Sequence, residues 1–168
     1  AIGEIGPDYS PKFGHKDSKI ELFIRQLELA DKLGYPVIIH NREAGKDVFE
    51  ILAEKLPEKG GVLHCYSENW EYAKKALDLN LYISFAGNVT YRNARNLHET
   101  AKNMPLEKML IESESPFMVP SAYRGKRNRP SYLPSSAEFI AELREQPLEE
   151  ITEALFKNSA AFFGVDIL

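Results

Sequence analysis

Residues 35–40 read YPVIIH, and the reading of this stretch decides the fold. Val37, Ile38 and Ile39 follow one another with no polar residue between them. A strand with one face in water alternates apolar and polar side chains. A run without alternation reads as a strand buried on both faces of a parallel sheet. His40 closes the run, at what would be the C-terminal end of that strand. The same pattern recurs in AIGEIG (1–6) with Glu4, in GGVLHC (60–65) with His64 and in EKMLIESESP (107–116) with Glu114. A barrel with its active site at the C-terminal end of its strands would show such residues there. Two imidazoles and two carboxylates together suit Zn²⁺, Mn²⁺ or a similar divalent ion.

Outward from these strands, the chain alternates strand and helix. Strands are expected at about 1–5, 36–40, 61–65, 81–85 and 107–112. After a loop holding Pro7, Pro11 and Gly14, a helix starts at Asp17 or Ser18 as cap. Its apolar positions Ile20, Phe23, Ile24, Leu27 and Ala30 sit at three-to-four spacing, and Gly34 ends it. Further helices are expected at about 43–56, 69–80, 91–103, 135–146 and 147–163, with Asn80 as a helix stop and a long polar loop at about 115–133. Five strands with crossover helices give an α/β fold with a parallel sheet. A closed barrel of eight strands needs ~200–250 residues. The chain therefore makes an open sheet or supplies five strands of a barrel.

The 168 residues suffice for one domain with a real core, and 43% hydrophobic against 27% charged content excludes a disordered class. The net charge of −4 does not mark a nucleic-acid binder, so that role would need a local basic patch. Cys65 is the one cysteine, which excludes a disulfide framework and fits a reducing, cytoplasmic compartment. No apolar run approaches the ~18 residues of a membrane span, and no signal peptide is visible. The Asn88-Val89-Thr90 sequon would then be silent.

Taken together, AIGEIGPDY, PVIIHNREAGKD, GVLHCYS, YISFAGNVTY, MLIESESPFMVP, YRGKRNRPSY and KNSAAFFGV resemble the TatD family of metal-dependent hydrolases, in its order and over essentially the whole chain. The resemblance implies strands four to eight of a (β/α)8 barrel, residues 1–168 being one N-terminally truncated domain. Strands one to three, with a His-x-His pair, have no counterpart here. By position, Glu4 resembles the family's bridging glutamate, and His40 and His64 its two histidine ligands. The last motif is usually Glu-Thr-Asp; here it reads Glu112-Ser113-Glu114, so Glu114 takes the place of the aspartate that ligates and moves protons. Glutamate reaches one methylene farther, where catalytic geometry tolerates ~0.5 Å. Pro7 stands where leucine is usual, and Glu68 where glycine is usual.

Each residue also has a plain reading. Glu4 between apolar neighbours needs a metal or an ion pair if buried. His40 and His64 could be hydrogen-bonded core residues, and Glu114 a surface acid. Glu112, two residues before Glu114, is a substitute ligand or a group orienting one. Asp8 and Arg42 either orient ligands and meet substrate or form loop salt bridges. Cys65 reads as core, His15 and His98 as surface residues, and Trp70 as a packed helix start. Four cations, Arg124, Lys126, Arg127 and Arg129, fall within six residues and, with Asn128, suit phosphate.

The expected function is metal-dependent phosphodiester hydrolysis of the TatD deoxyribonuclease type, with Glu4 and Glu114 in the chemistry. Glu4, His40, His64 and Glu114 would hold metal (Zn, Mg or Mn, one ion rather than two). Arg42, Arg124, Lys126, Arg127 and Asn128 would meet DNA or another phosphodiester. With part of a second metal set absent, activity is expected to be impaired. One alternative is an inactive barrel fragment or interaction remnant that self-associates through open sheet edges. Another is a hydrolase of small amides, lactones or phosphotriesters.

Overall fold

A computed structural model describes residues 1–10 and 15–166; the predicted loop positions Pro11 and Gly14 lie outside the described residues. Strands β1 (Ile2–Ile5), β2 (Val37–Ile39), β3 (Gly61–Leu63), β4 (Tyr82–Phe85) and β5 (Met109–Ile111) form one parallel sheet in the order β1-β2-β3-β4-β5. Between and after them come α1 (Lys16–Leu33), α2 (Gly45–Lys55), α3 (Trp70–Asp78), α4 (Arg95–Asn103), α5 (Pro134–Arg144) and α6 (Leu148–Phe163). The strand order never reverses. Because parallel crossovers share one hand, every crossover then lands on the same face of the sheet. Each helix accordingly touches the next along the chain.

That face holds the main core. Val37, Ile39, Leu63, Ile83, Phe85 and Met109 pack with Phe23, Leu27, Val48 and Leu52. The alternate residues Ile38, Val62, Tyr82 and Leu110 cluster with Phe162 at the end of α6. Strands buried on both faces were expected from the unbroken apolar runs. The second face is covered only in part, so Ile38 and Tyr82 stay half-buried. No helix among the described residues is long and apolar enough to cross a membrane.

β1 is irregular where it matters. Ile2 pairs with Val37 and Ile5 with Ile39, so three steps along β1 match two along β2. Such an extra residue re-aims side chains. Gly3 permits it, since a Cβ there would meet the Ile38 Cβ at 2.5 Å.

The expected element ends needed small corrections. α1 begins at Lys16, with His15 in the cap position making no side-chain cap bond. Asp17 instead lies in the first turn, where a carboxylate favours the positive end of the helix dipole. Gly34 ends α1 with φ 67°, as predicted. α4 starts at Arg95 rather than near residue 91, because Gly87–Thr90 forms a 3-10 turn first. That turn is pinned from above: Ser121 N–H donates to Thr90 Oγ1 and Ser121 Oγ to Thr90 O, both at 2.8 Å. His98, expected at the surface, is half-buried, with Nε2 2.9 Å from Val89 O. Cys65 is not part of the apolar core. Its φ of 43° breaks the alternation on which that reading rested.

Asn158 ties α6 to the sheet. Its buried amide donates to Leu106 O and Met109 O, both at 2.8 Å. Asn158→Ala leaves two acceptors unmatched and is expected to cost on the order of 2 kcal/mol. Urea unfolding should show a lowered midpoint at unchanged slope. Lys157→Ala, which breaks an exposed pair with Glu153, should change stability by less than about 0.5 kcal/mol.

Candidate metal centre

Glu4, His40 and His64 leave three neighbouring strands at one end of the sheet, and their side chains converge. His40 Nδ1 lies 3.3 Å from His64 Nε2. Glu4 Oε2 lies 3.2 Å from His64 Nε2 and 3.8 Å from His40 Nδ1. Each imidazole is held from behind by a carboxylate. His40 Nε2 is 3.2 Å from Asp8 Oδ2, and His64 Nδ1 is 3.1 Å from Glu112 Oε1. With those nitrogens donating, His40 Nδ1 and His64 Nε2 are left as lone pairs facing Glu4. A histidine that gives its other N–H to a carboxylate is the arrangement metal sites use to fix tautomer and ring orientation. These residues therefore fit a divalent ion. His64, Glu112 and Glu114 form a second grouping of ligand type.

Glu112 is the most constrained of these groups. Its other oxygen accepts the Cys65 N–H at 3.1 Å, and the Ser84 hydroxyl also donates to it. Burial alone would raise its pKa. The hydrogen bonds from His64, Ser84 and Cys65 outweigh this and hold the carboxyl below its ordinary range. His64 shows the converse balance. Burial disfavours its charged form, yet the Glu112 hydrogen bond and the charges of Glu112, Glu4 and Glu114 raise its pKa. Burial, with Glu112 and Glu4 adding repulsion, pushes Glu114 up. Glu114 sits at φ 52°, so the extended geometry expected for residues 112–114 does not hold. Both acids still line the open cavity of about 500 Å³ that also contains Glu4 and His64.

The remaining predicted residues spread around this centre. The Glu4 side chain is 54% exposed despite its apolar neighbours in sequence, because the face it points from lacks a full cover. Asp8 lies against His40. Its backbone bridges to Arg42, and its side chain reaches His40 and accepts the Ser10 N–H. Arg42, Arg124, Lys126 and Arg127 are exposed. Asn128 is buried, its amide donating to Ser113 O and Phe117 O and its Oδ1 accepting the Arg129 N–H. It braces the loop from within. Glu68 accepts from Asn41 Nδ2 at 3.1 Å, beside His40 in sequence. A tie with no signal along the chain joins Tyr9 OH to Asp47 Oδ2, with Lys16 2.6 Å from the same oxygen. It holds the loop that carries Asp8 to α1 and α2.

The family model described as TatD related DNase matches residues 1–164. The chain belongs to this family. Over 167 residues it is 42% identical to the uncharacterized metal-dependent hydrolase YabD of Bacillus subtilis, covering 99% of this chain and 66% of that one. It is 41% identical to the uncharacterized metal-dependent hydrolase YcfH of Escherichia coli K12, covering 99% and 63%. The crystal structure of YJJV, a TatD homologue from Escherichia coli K12, superposes with a TM-score of 0.91 at 30% identity, covering 99% and 64%. A TatD family hydrolase from Entamoeba histolytica shares the fold, with a TM-score of 0.85 at 22% identity, covering 97% and 62%. The chain spans less than two thirds of the length of these curated relatives.

The raised His64 pKa predicts how metal binding depends on pH. In the metal-free protein, the proton on His64 stabilises the fold fully below the ordinary value of 6.5, and this is lost as pH rises through the higher folded value. A metal ion must displace that proton. Zn²⁺ affinity, read by competition with a chelating dye, should therefore keep rising with pH above 6.5 and then level. Glu112→Gln should move the levelling to lower pH and weaken binding by about 10–100-fold.

Proposed function

We propose that this chain is a metal-dependent phosphodiester hydrolase domain of the TatD deoxyribonuclease type, its five strands being strands four to eight of a (β/α)8 barrel. The observation that carries the reading is the pair of carboxylate-backed imidazoles aimed at Glu4. The unreversed strand order and the half-covered second face support the barrel assignment. So does the structural likeness to a TatD homologue of greater length.

Glu4, His40 and His64 would hold one divalent ion, with Zn²⁺ or Mn²⁺ suiting the mixed imidazole and carboxylate set. When bound, such an ion supplies a water nucleophile at neutral pH and neutralises charge at phosphorus. Asp8 and Glu112 orient the two rings. Glu114, whose pKa is pushed up by burial and neighbouring acids, would hold a proton and pass it to the leaving oxygen. Exposed Arg42, Arg124, Lys126 and Arg127 would neutralise phosphate oxygens of DNA. The single cysteine favours a cytoplasmic setting. Activity of the 168-residue chain would be impaired, because Glu4, His40 and His64 complete the ligand set of only one of the two metals that the family resemblance implies. The edges of β1 and β5 invite association.

Metal analysis and cleavage of single-stranded DNA test the reading. His40→Ala and His64→Ala should each lose bound metal and all hydrolysis. Activity that survives both would assign it elsewhere. Glu114→Gln should lower turnover by about 10²–10⁴-fold. Light scattering on the eluting protein should show self-association, and a clean monomer would remove the open-edge argument.

A further inference from the structure

The two histidines of the metal centre are backed by carboxylates that are held in different ways. Glu112 follows directly on β5, and donors from the ends of β3 and β4 fix it from within the sheet. Asp8 lies three residues beyond β1, on a loop. Its Oδ2 meets His40 Nε2 at 3.2 Å, and its Oδ1 accepts the Ser10 N–H at 2.8 Å. The Tyr9 N–H donates to Arg42 O at 2.9 Å and the Arg42 N–H to Pro7 O at 3.3 Å. Those bonds tie the loop to the segment that carries His40. They do not tie it to the layer of helices on its other side.

Side chains from two helices supply that second hold. The Tyr9 hydroxyl donates to Asp47 Oδ2 at 2.5 Å, and Lys16 Nζ lies 2.6 Å from the same oxygen. Asp47 stands in the first turn of α2, and Lys16 is the first residue of α1. Lys19, one turn farther along α1, donates to the main-chain oxygen of Asp8 itself. Both ammonium groups also stand over the Tyr9 ring, 5.1 and 5.8 Å from its centre. Tyr9 is half-buried and the Asp47 side chain is 18% exposed, so water competes little for these bonds. The hydrogen bonds from Lys16 and Tyr9 hold the Asp47 carboxyl below its ordinary range. Burial and the Asp47 carboxylate push the Tyr9 phenol up. The hydroxyl therefore keeps its proton and Asp47 its charge across neutral pH, and the tie persists there.

We propose that Tyr9, Asp47, Lys16 and Lys19 form a clamp that positions His40 through Asp8, so that α1 and α2 set the orientation of one ligand ring. All four are positioning residues, and none belongs to the set that would touch metal. A carboxylate that drifts by ~0.5 Å no longer holds a ligand ring in its productive geometry. His64, backed from within the sheet, lies outside the reach of the clamp. The consequence for affinity rests on the metal-centre reading, but the ring and its carboxylate are present without metal.

Two measurements test the clamp. The first is proton NMR of the metal-free protein. The His40 Nε2–H proton, hydrogen-bonded to Asp8, should resonate downfield in the wild-type protein. In Tyr9→Phe it should move upfield or be lost to exchange with water, while the His64 Nδ1–H proton stays as it was. The second is Zn²⁺ affinity by competition with a chelating dye. Tyr9→Phe should weaken binding by about tenfold, the low end of the ~10–100-fold that loss of a backing carboxylate costs. In an Asp8→Ala background Tyr9→Phe should add nothing, whereas with Glu112→Gln the two losses should multiply. Lys19→Met, which removes the bond to Asp8 O and keeps the aliphatic stem, should act in the same direction and replaces Tyr9→Phe if that variant folds poorly. Arg25→Ala, in an exposed pair with Glu21 elsewhere on α1, should change neither readout. A wild-type protein without the downfield His40 proton overturns the clamp, as does an equal Tyr9→Phe loss with and without Asp8. If Zn²⁺ binding needs His40 but ignores Tyr9 and Lys19, the clamp falls and the metal reading stands. If the His40 proton depends on Tyr9 but the wild-type protein binds no Zn²⁺, the metal reading falls and the clamp stands.

Discussion

The carboxylate of Glu112 ties together the ends of three strands. It leaves β5, accepts from Ser84 on β4, and takes both the His64 ring and the Cys65 N–H beyond β3. A buried carboxylate with one partner would be costly; with three donors it stays ionised at a low pKa. That charge fixes His64. The fixed ring in turn presents Nε2 toward Glu4 and toward the neighbouring nitrogen of His40. Asp8 repeats the device one strand away. The candidate centre is thus set by its backing carboxylates as much as by the groups that would touch metal.

A second constraint is topological. An unreversed order of parallel strands puts all the crossovers on one face, so the other face must be closed by something else. Here the end of α6 covers part of it through Phe162, whose ring meets Tyr82 edge-on at 5.5 Å. Because Glu4 points from this incompletely covered face, it is far more exposed than its apolar neighbours in sequence suggested. The same openness leaves Glu112 and Glu114 at the wall of a cavity rather than in a closed core.

Much of this was legible along the chain. YPVIIH and GGVLHC marked buried strands because unbroken apolar runs have one favourable environment, and a histidine at the end of such a run stands out. Gly34 and Trp70 ended and started helices as read. Other features were hidden for definite reasons. The partners of Glu112 and Asp8 lie 48 and 32 residues away, and only the fold brings them within reach. Glu114 and Cys65 adopt left-handed backbone, which defeats any argument from strand alternation. Asn128, in the middle of a basic run, looked like part of its charge recognition, yet the loop closes around its amide.

The sequence by itself determined the parallel α/β class, the four strand-end residues and the family pattern, because hydrophobic periodicity and residue type are local properties. Only the tertiary structure decided which nitrogen of each histidine faces Glu4 and that the register of β1 shifts by one residue around Glu4. It also decided that Tyr91, Arg92 and Arg124 line one cleft. Those outcomes depend on distances between strands and loops, which packing sets and a linear pattern does not carry.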